Sequence, residues 1–445
     1  MKATRIGLAA LLALLASGLT ACDRISLPSP FEEKIRTPPL ADAIILDPTV
    51  TYQTMVGWET TAGIGSVDFI VDFQKWSGAA VDLAVNGLGI NRVRLEIKSG
   101  AENPVDSFTP YMNGTLSRAA WKAGWYTPVN DDADPNTINL SGFQFSALDH
   151  SIDTVVLPMK QLVEANGEQL YVNLNYVDFN TTSALHHQDP AEYAEFMLAT
   201  FQHMQGKYGF VPDAIEIILE PDNSLWDGSK IGLSIVATAN LLQANGFAPP
   251  DFIAPSVAGA AQLANHFDAM AGSAPASLSF LTEIAYHRYG GMSAGQFNDL
   301  TTRANLHGLD TSMLEHIGSG HVDLHEDLKK GNVSAWQQFT LAYPTSDNGA
   351  QYFIIGNPTG ASPTVSYGDR TRYLRQYFKY IRSGAVRFDA VSNAVRLDAV
   401  AFRNTDGGQV VVVKATAGGS FSIDGLQAGT YSIQYTTSSE TATDL

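Results

Sequence analysis

The chain has 445 residues, 45% of them hydrophobic and 16% charged, with a formal net charge of −18 at pH 7. This is the composition of a globular protein with one large domain, or a large one and a smaller companion. The negative balance argues against a nucleic-acid partner, whose phosphates would repel it.

In chain order the first element is a targeting segment. Lys2 and Arg5 precede the apolar run IGLAALLALLASGL, too short to span a bilayer comfortably. The run ends in LTAC, residues 19–22, which resembles the lipobox of bacterial lipoproteins, where cleavage before the Cys leaves that Cys to carry the lipid. Cys22 is the only cysteine, so no internal disulfide can form in any compartment. The expectation is a signal peptide over 1–21, a lipid (palmitate) on Cys22, a Pro-rich tether over 22–43, and attachment to a bacterial cell envelope on its periplasmic face or outer surface. Asp23 is a residue that favours inner-membrane retention in some Gram-negative bacteria.

From about residue 53 short β-branched or apolar runs alternate with segments of helical period. The strands read as MVGWETTAG, NRVRLEIKSG, QLYVNLNYV, AIEIILEPD, DFIAPSV, LTEIAYHRYG, TSMLEHIG and AQYFIIGN. The helices between them include AAVDLAVNGLG, ended by glycine, ALDHSIDTVVLPMKQLVEANG, interrupted by Pro158, and a helix opened by Asp189 as cap, Pro190 and Glu192. VSAWQQFTLAY is read as the seventh helix and RTRYLRQYFKYIRSG as the eighth. A long insertion over residues 99–140 carries Trp121 and Trp125.

Eight strand–helix units predict an α/β fold, a (β/α)8 TIM barrel over residues 44–384. A doubly wound open sheet is the competing architecture, but it calls for a glycine fingerprint after the first strand, and GIGSVD has only part of that spacing. After Gly384 the helical period stops. Short alternating strands with DGG and AGG turns predict a C-terminal antiparallel β-sandwich side domain over 385–445, packed on the barrel and joined by residues 44–52.

On this count Glu220 ends strand four and Glu315 ends strand seven. The carboxyl ends of barrel strands carry the chemistry of such folds, so a buried strand running into a carboxylate holds that group rigidly at the mouth. Two facing carboxylates define a glycosidase: one protonates the leaving oxygen, the other attacks or activates water. A separation of roughly 5–5.5 Å gives retention and roughly 6.5–9.5 Å gives inversion. Taken singly, a strand-end Glu is most often a solvated residue or an ion-pair partner. Glu216, near the centre of strand four, is read as structural.

Acid/base on strand four and nucleophile on strand seven is the layout of the retaining glycosidase clan built on (β/α)8 barrels. Within it the chain resembles glycoside hydrolase family 30 through YQTMVGWETTAG, AYHRYG, YLRQYFKYIRSGAVRFDA and AVAFRNTDGGQVVVVKATA, which together span most of residues 45–440. The resemblance implies a retaining β-glycosidase with Glu220 as acid/base, held protonated by its surroundings, and Glu315 as nucleophile, acting on a polysaccharide or glycoconjugate. It also implies that Arg94 braces the nucleophile. Leu219 stands where the clan usually has an Asn that binds the sugar 2-hydroxyl, with Asn223 and Asn175 as possible substitutes. LNYVDFN replaces the usual third-strand tryptophan motif. The alternative reading is therefore a carbohydrate-binding envelope lipoprotein with weakened catalysis.

Among supporting residues, His287 and Tyr289 alternate on strand six and so share a face. Tyr289 can reach the strand-seven carboxylate and His287 the sugar. Trp58, Trp125, Trp226 and Tyr176 are candidate platforms for apolar sugar faces. No metal or organic cofactor is required by this chemistry. HVDLHED places His321 and His325 four apart but lacks a zinc motif and a defined third ligand, and the adjacent His186 and His187 sit in a loop.

Overall fold

The computed structural model describes residues 41–63, 70–343, 349–437 and 441–442. The expected signal peptide, Cys22 and most of the tether lie outside the described residues, as does most of GIGSVD. No helix among the described residues is long and apolar enough to cross a membrane.

Strand β1 (Ala43–Thr54) comes first and does not enter the barrel. The barrel strands are β2 (Gly57–Thr61), β3 (Arg92–Lys98), β4 (Tyr171–Val177), β5 (Ala214–Glu216), β6 (Asp251–Val257), β7 (Leu281–His287), β8 (Asp310–Glu315) and β9 (Val333–Trp336). Each pairs in parallel with the next, and β2 closes on β9 through Gly57↔Ala335 and Trp58↔Trp336. The fold is a (β/α)8 barrel.

The closing strand differs from expectation. It is Val333–Trp336, within the segment read as the seventh helix, whereas AQYFIIGN forms strand β11 (Gln351–Gly356) outside the barrel wall. There β11 lies between β10 (Thr340–Tyr343), itself paired to Thr61, and β12 (Thr364–Tyr367). The strand order through β8 is as expected and Glu315 ends β8, but β5 is short and stops at Glu216, so Glu220 lies beyond the strand end it was expected to occupy.

The helices follow their local signals. Asp189 caps Pro190–Tyr208 by accepting the Ala191 N–H at 2.9 Å, and Gly209 ends it at φ 74°. The segment with Pro158 stays helical through Ser146–Ser151, Ile152–Val156 and Leu157–Ala165, because a π turn at Ile152–Val156 relaxes the backbone just ahead of the proline.

Strand alternation sends one set of side chains into the barrel. Its interior is unusually charged. Arg92 Nε donates to Glu59 at 2.6 Å, and its two terminal nitrogens donate to Glu283 at 2.5 and 3.0 Å, all three residues being fully or almost fully buried. The next inward layer toward the mouth contains Arg94, Asn173 and Glu216.

The side β-domain is a five-stranded sheet in the order β15 (Gln409–Ala415), β14 (Leu397–Arg403), β13 (Val386–Ser392), β1, β16 (Ser422–Asp424). Its pairings are antiparallel apart from β1 with β16. Val400 and Phe402 of β14 join the barrel's core, while Leu397, Ala399 and Ala401 pack on the other face with Ile44 and Phe388.

Candidate active site

The stretch around Glu220 is held from both sides although β5 itself stops at Glu216. Leu219 N–H donates to Tyr176 O at 2.9 Å, and Glu220 N–H donates to Ser256 O at 3.0 Å. Glu220 then takes φ +50°, ψ 63°, a left-handed conformation uncommon for a residue with a side chain. Such a conformation costs on the order of 1–3 kcal/mol and persists where the surroundings over-determine it, commonly at functional sites. Pro221, whose φ is fixed, turns the chain away at once. Glu315 is aimed by a different device. The β7–β8 register slips between Tyr286↔Met313 and His287↔Glu315, so Glu315 stands opposite His287 while Leu314 packs in the barrel interior.

The two carboxylates share one constellation. One oxygen of Glu220, one of Glu315 and a ring nitrogen of His287 all lie within 4.8 Å of one another. Arg94, fully buried, donates from Nη2 to Glu315 Oε2 at 2.5 Å, and Tyr289 donates its hydroxyl to Oε1 at 3.0 Å. Glu220 Oε1 is 2.8 Å from His287 Nδ1, and Oε2 accepts from Asn223 Nδ2 at 2.8 Å. Both carboxylates are thus hydrogen-bonded at each oxygen.

The charges settle in a definite way. Burial pushes the Glu220 carboxyl up, but the His287 hydrogen bond and charge, Asn223 and Arg94 together outweigh it, and the group lies below the ordinary carboxylate range. Burial opposes the His287 cation, yet Glu220 and Glu315 raise the imidazole above its ordinary value. Both shifts favour a carboxylate facing an imidazolium, a different direction from the expectation that Glu220 is held protonated. His287 is wholly buried, with Nδ1 against Glu220 and Nε2 without a hydrogen-bond partner. Burial raises Glu216, fully buried beneath the site, despite the opposing charges of Arg94 and His287.

Asn175, one step toward the mouth from Asn173 on β4, is fully buried, and neither its Oδ1 nor its Nδ2 has a hydrogen-bond partner. Asn223 is occupied by Glu220. A cavity of about 350 Å³ opens from Glu315 and Leu219 past Thr61, Glu96 and Lys98 to Trp125. Trp125 forms part of that wall, with Lys98 Nζ 4.8 Å and Lys122 Nζ 5.0 Å from its ring centroid.

The other proposed platforms are core residues. Trp58 is fully buried, stacks on Phe378 at 4.3 Å and donates Nε1–H to Ile381 O at 2.7 Å, because alternation on β2 turns it toward the outer helix layer. Tyr176 faces outward from β4 for the same reason and packs with Tyr193, Phe196 and Trp226. Trp226 is also buried in that cluster. His321 stacks on Tyr373, and His325 is 2.9 Å from the Tyr377 hydroxyl, so this pair braces the outer helix. Glu96, Lys98, Tyr126, Phe179 and Phe339 line the cleft without having been singled out in the sequence. Glu96 and Lys98 carried a signal, since they alternate with Arg94 on β3.

No protein-family model and no curated protein sequence matches the chain. Solved structures do. The catalytic domain of GH30 xylanase C from Talaromyces cellulolyticus superposes with a TM-score of 0.65 at 16% identity, covering 89% of this chain and 93% of that one. An endo-β1,6-glucanase gives 0.62 at 16% identity, covering 85% and 87%. A GH30 endoxylanase from Clostridium papyrosolvens gives 0.56 at 17% identity, covering 88% and 90%. The chain therefore has the fold of the glycoside hydrolase family 30 structures, a (β/α)8 barrel with a side β-domain.

Proposed function

We propose that this protein is a glycoside hydrolase that cleaves β-linked polysaccharide or glycoconjugate with retention of configuration, Glu315 acting as nucleophile and Glu220 as acid/base. The observation that carries this reading is the approach of a Glu220 oxygen to a Glu315 oxygen within 4.8 Å. A nearest-oxygen approach of that order supports the retaining pair, whose carboxyl groups stand roughly 5–5.5 Å apart, over the inverting pair at roughly 6.5–9.5 Å. The xylanase and glucanase names of the structural neighbours support a polysaccharide substrate.

In this mechanism Glu315, with both oxygens fixed and a permanent cation against it, attacks the anomeric carbon. The His287–Glu220 pair holds one proton. When the sugar displaces water from the cleft, separated charge becomes costlier, and the Nδ1 proton moves to Glu220 Oε1 and on to the leaving oxygen. Glu220 then takes a proton from the water that hydrolyses the glycosyl intermediate and returns it to the pair.

The test is a panel of aryl β-glycosides and of plant, fungal and bacterial glycans, with the product anomer followed by NMR. Wild type is expected to release the retained anomer from at least one substrate, and Glu220→Gln and Glu315→Gln are each expected to abolish release. An inverted product overturns the mechanism. Leu219 beside Glu220 supports a second reading, a glycan-binding protein of weakened catalysis; binding without cleavage across the panel decides for it. Attachment of the mature chain to a bacterial envelope through a lipid on Cys22 is part of the proposal and rests on the LTAC motif. Labelled palmitate taken up by wild type and not by Cys22→Ser tests it.

A further inference from the structure

We propose that Glu102, His186 and His187 form a metal site that takes Zn2+ and ties the cleft-wall insertion to the barrel. The three residues bring Glu102 Oε2 and both Nε2 atoms together, all within 4.8 Å of one another. His186 Nε2 is 2.9 Å from that oxygen, and His187 Nε2 contacts the same atom. Two imidazole nitrogens converging with a carboxylate oxygen make a His2Glu set that can leave one tetrahedral position open. Such a set suits zinc, whereas Ca2+ and Mg2+ prefer oxygen-only shells.

The ligands are held from behind, as metal ligands commonly are. His187 Nδ1 is 2.9 Å from the Tyr176 hydroxyl, so Nε2 is left to face Glu102, and Glu102 Oε1 accepts the Asp131 N–H at 2.8 Å. His187 and Glu102 are buried and His186 is one-fifth exposed on its side chain, which provides an entry path. A further buried carboxyl lies next to the cluster. Glu195, on the helix that begins just after His187, is 3% exposed, and its Oε1 has no hydrogen-bond partner. Its nearby charges are carboxylates, those of Asp131 and Glu102 among them.

The consequence is structural. Glu102 roots the insertion that carries Trp125 and Tyr126, and the histidines lie 84 and 85 residues further on. A metal here closes that long loop at its base and steadies the wall of the cleft. The site shares no residue with the Glu220–Glu315 constellation, so it stands or falls independently of the hydrolase reading.

The test uses the full chain, stripped with EDTA and titrated with ZnCl2 by calorimetry, with bound metal counted by elemental analysis and thermal unfolding followed by circular dichroism. We expect one Zn2+ per chain and an unfolding temperature raised by several degrees, with neither effect from CaCl2 or MgCl2 at equal concentration. Tyr176→Phe is expected to weaken zinc binding about 10–100-fold, and His186→Asn, a change at a part-exposed side chain that preserves folding, at least as much. Glu315→Gln is expected to bind zinc as wild type does. Zinc well below one per chain in wild type overturns the proposal. So does stoichiometric zinc that survives both His186→Asn and His187→Asn, or that is lost in Glu315→Gln, because either result puts the ion elsewhere.

Discussion

Arg94 and Glu315, 221 residues apart in the chain, meet through a 2.5 Å contact between Nη2 and Oε2 inside the barrel mouth. Tyr289 takes the other carboxylate oxygen at 3.0 Å. Together they fix both the charge and the orientation of the proposed nucleophile. A hydrogen bond to a charged group is worth about 1.5–3 kcal/mol, so Tyr289→Phe is expected to lower kcat about 10–100-fold with KM little changed. Steady-state kinetics on a cleaved aryl glycoside checks this, and an unaltered kcat would remove Tyr289 from the mechanism. Arg94→Lys is expected to cost more, since a lysine lacks the planar fork that also donates to Leu314 O.

The His287–Glu220 pair makes a pH prediction. His287 is raised above its ordinary 6.5, so the proton it holds is present below that value and is lost as pH rises through the raised one. Glu220 is lowered from 4.5, so it is the partner that stays ionised across this range. The basic limb of kcat/KM is therefore expected above pH 6.5, and His287→Gln is expected to shift it to the acid side, leaving Glu220 to carry the proton alone.

The same pair contributes stability in a defined window. The His287 contribution is complete below pH 6.5 and fades as pH rises through its folded value; the Glu220 contribution is complete above pH 4.5 and fades as pH falls through its own. His287→Gln should consequently lower the unfolding temperature more at pH 5.5 than at pH 9. Equal losses at the two values would mean that the pair is not ionised in the folded chain.

Strands up to β8 were legible because each is an apolar run flanked by helical period; Glu315 falls at the end of β8, while Glu220 lies past the end of β5 on a stretch held by Tyr176 O and Ser256 O. The closing strand was not legible. Val333, Ala335 and Trp336 fit either period over so short a run, and what makes them a strand is pairing with Gly57 and Trp58 nearly 280 residues earlier, which no local pattern encodes. The same limit explains the misplaced platforms. Trp58 and Tyr176 sit on strands that line the site, but their parity turns them outward, and parity is visible only once the inward set is known. Glu220's interaction with His287 was equally hidden, because it depends on a left-handed backbone that nothing in AIEIILEPDN signals.

Asn175 offers a test of what replaces the missing amide at position 219. Its side chain is buried with both polar atoms unpaired, an arrangement that costs about 1–3 kcal/mol. A residue retained at that cost at the mouth of a barrel is expected to pair with ligand. Asn175→Leu, close in size and apolar, should raise the unfolding free energy by about 1–2 kcal/mol while lowering kcat/KM by at least about tenfold. The loss should shrink on a 2-deoxy glycoside if the amide binds the 2-hydroxyl. A variant that is both more stable and fully active would show the amide to be idle.

The buried triad beneath the site separates the scaffold from the chemistry. Arg92 is flanked by Glu59 and Glu283 and has Tyr171's ring 4.4 Å from its guanidinium carbon. Removing only the cation leaves two carboxylates facing each other in a low-dielectric interior, so Arg92→Met is expected to cost about 3–5 kcal/mol, read as a lower urea midpoint. Replacing the whole set, as Arg92→Met with Glu59→Gln and Glu283→Gln, removes the stranded charges and should recover most of that loss. Recovery in the triple variant together with unchanged KM would place the triad in the folding of the barrel. If the triple variant is no more stable than Arg92→Met, packing around the guanidinium, and not charge balance, is what Arg92 provides.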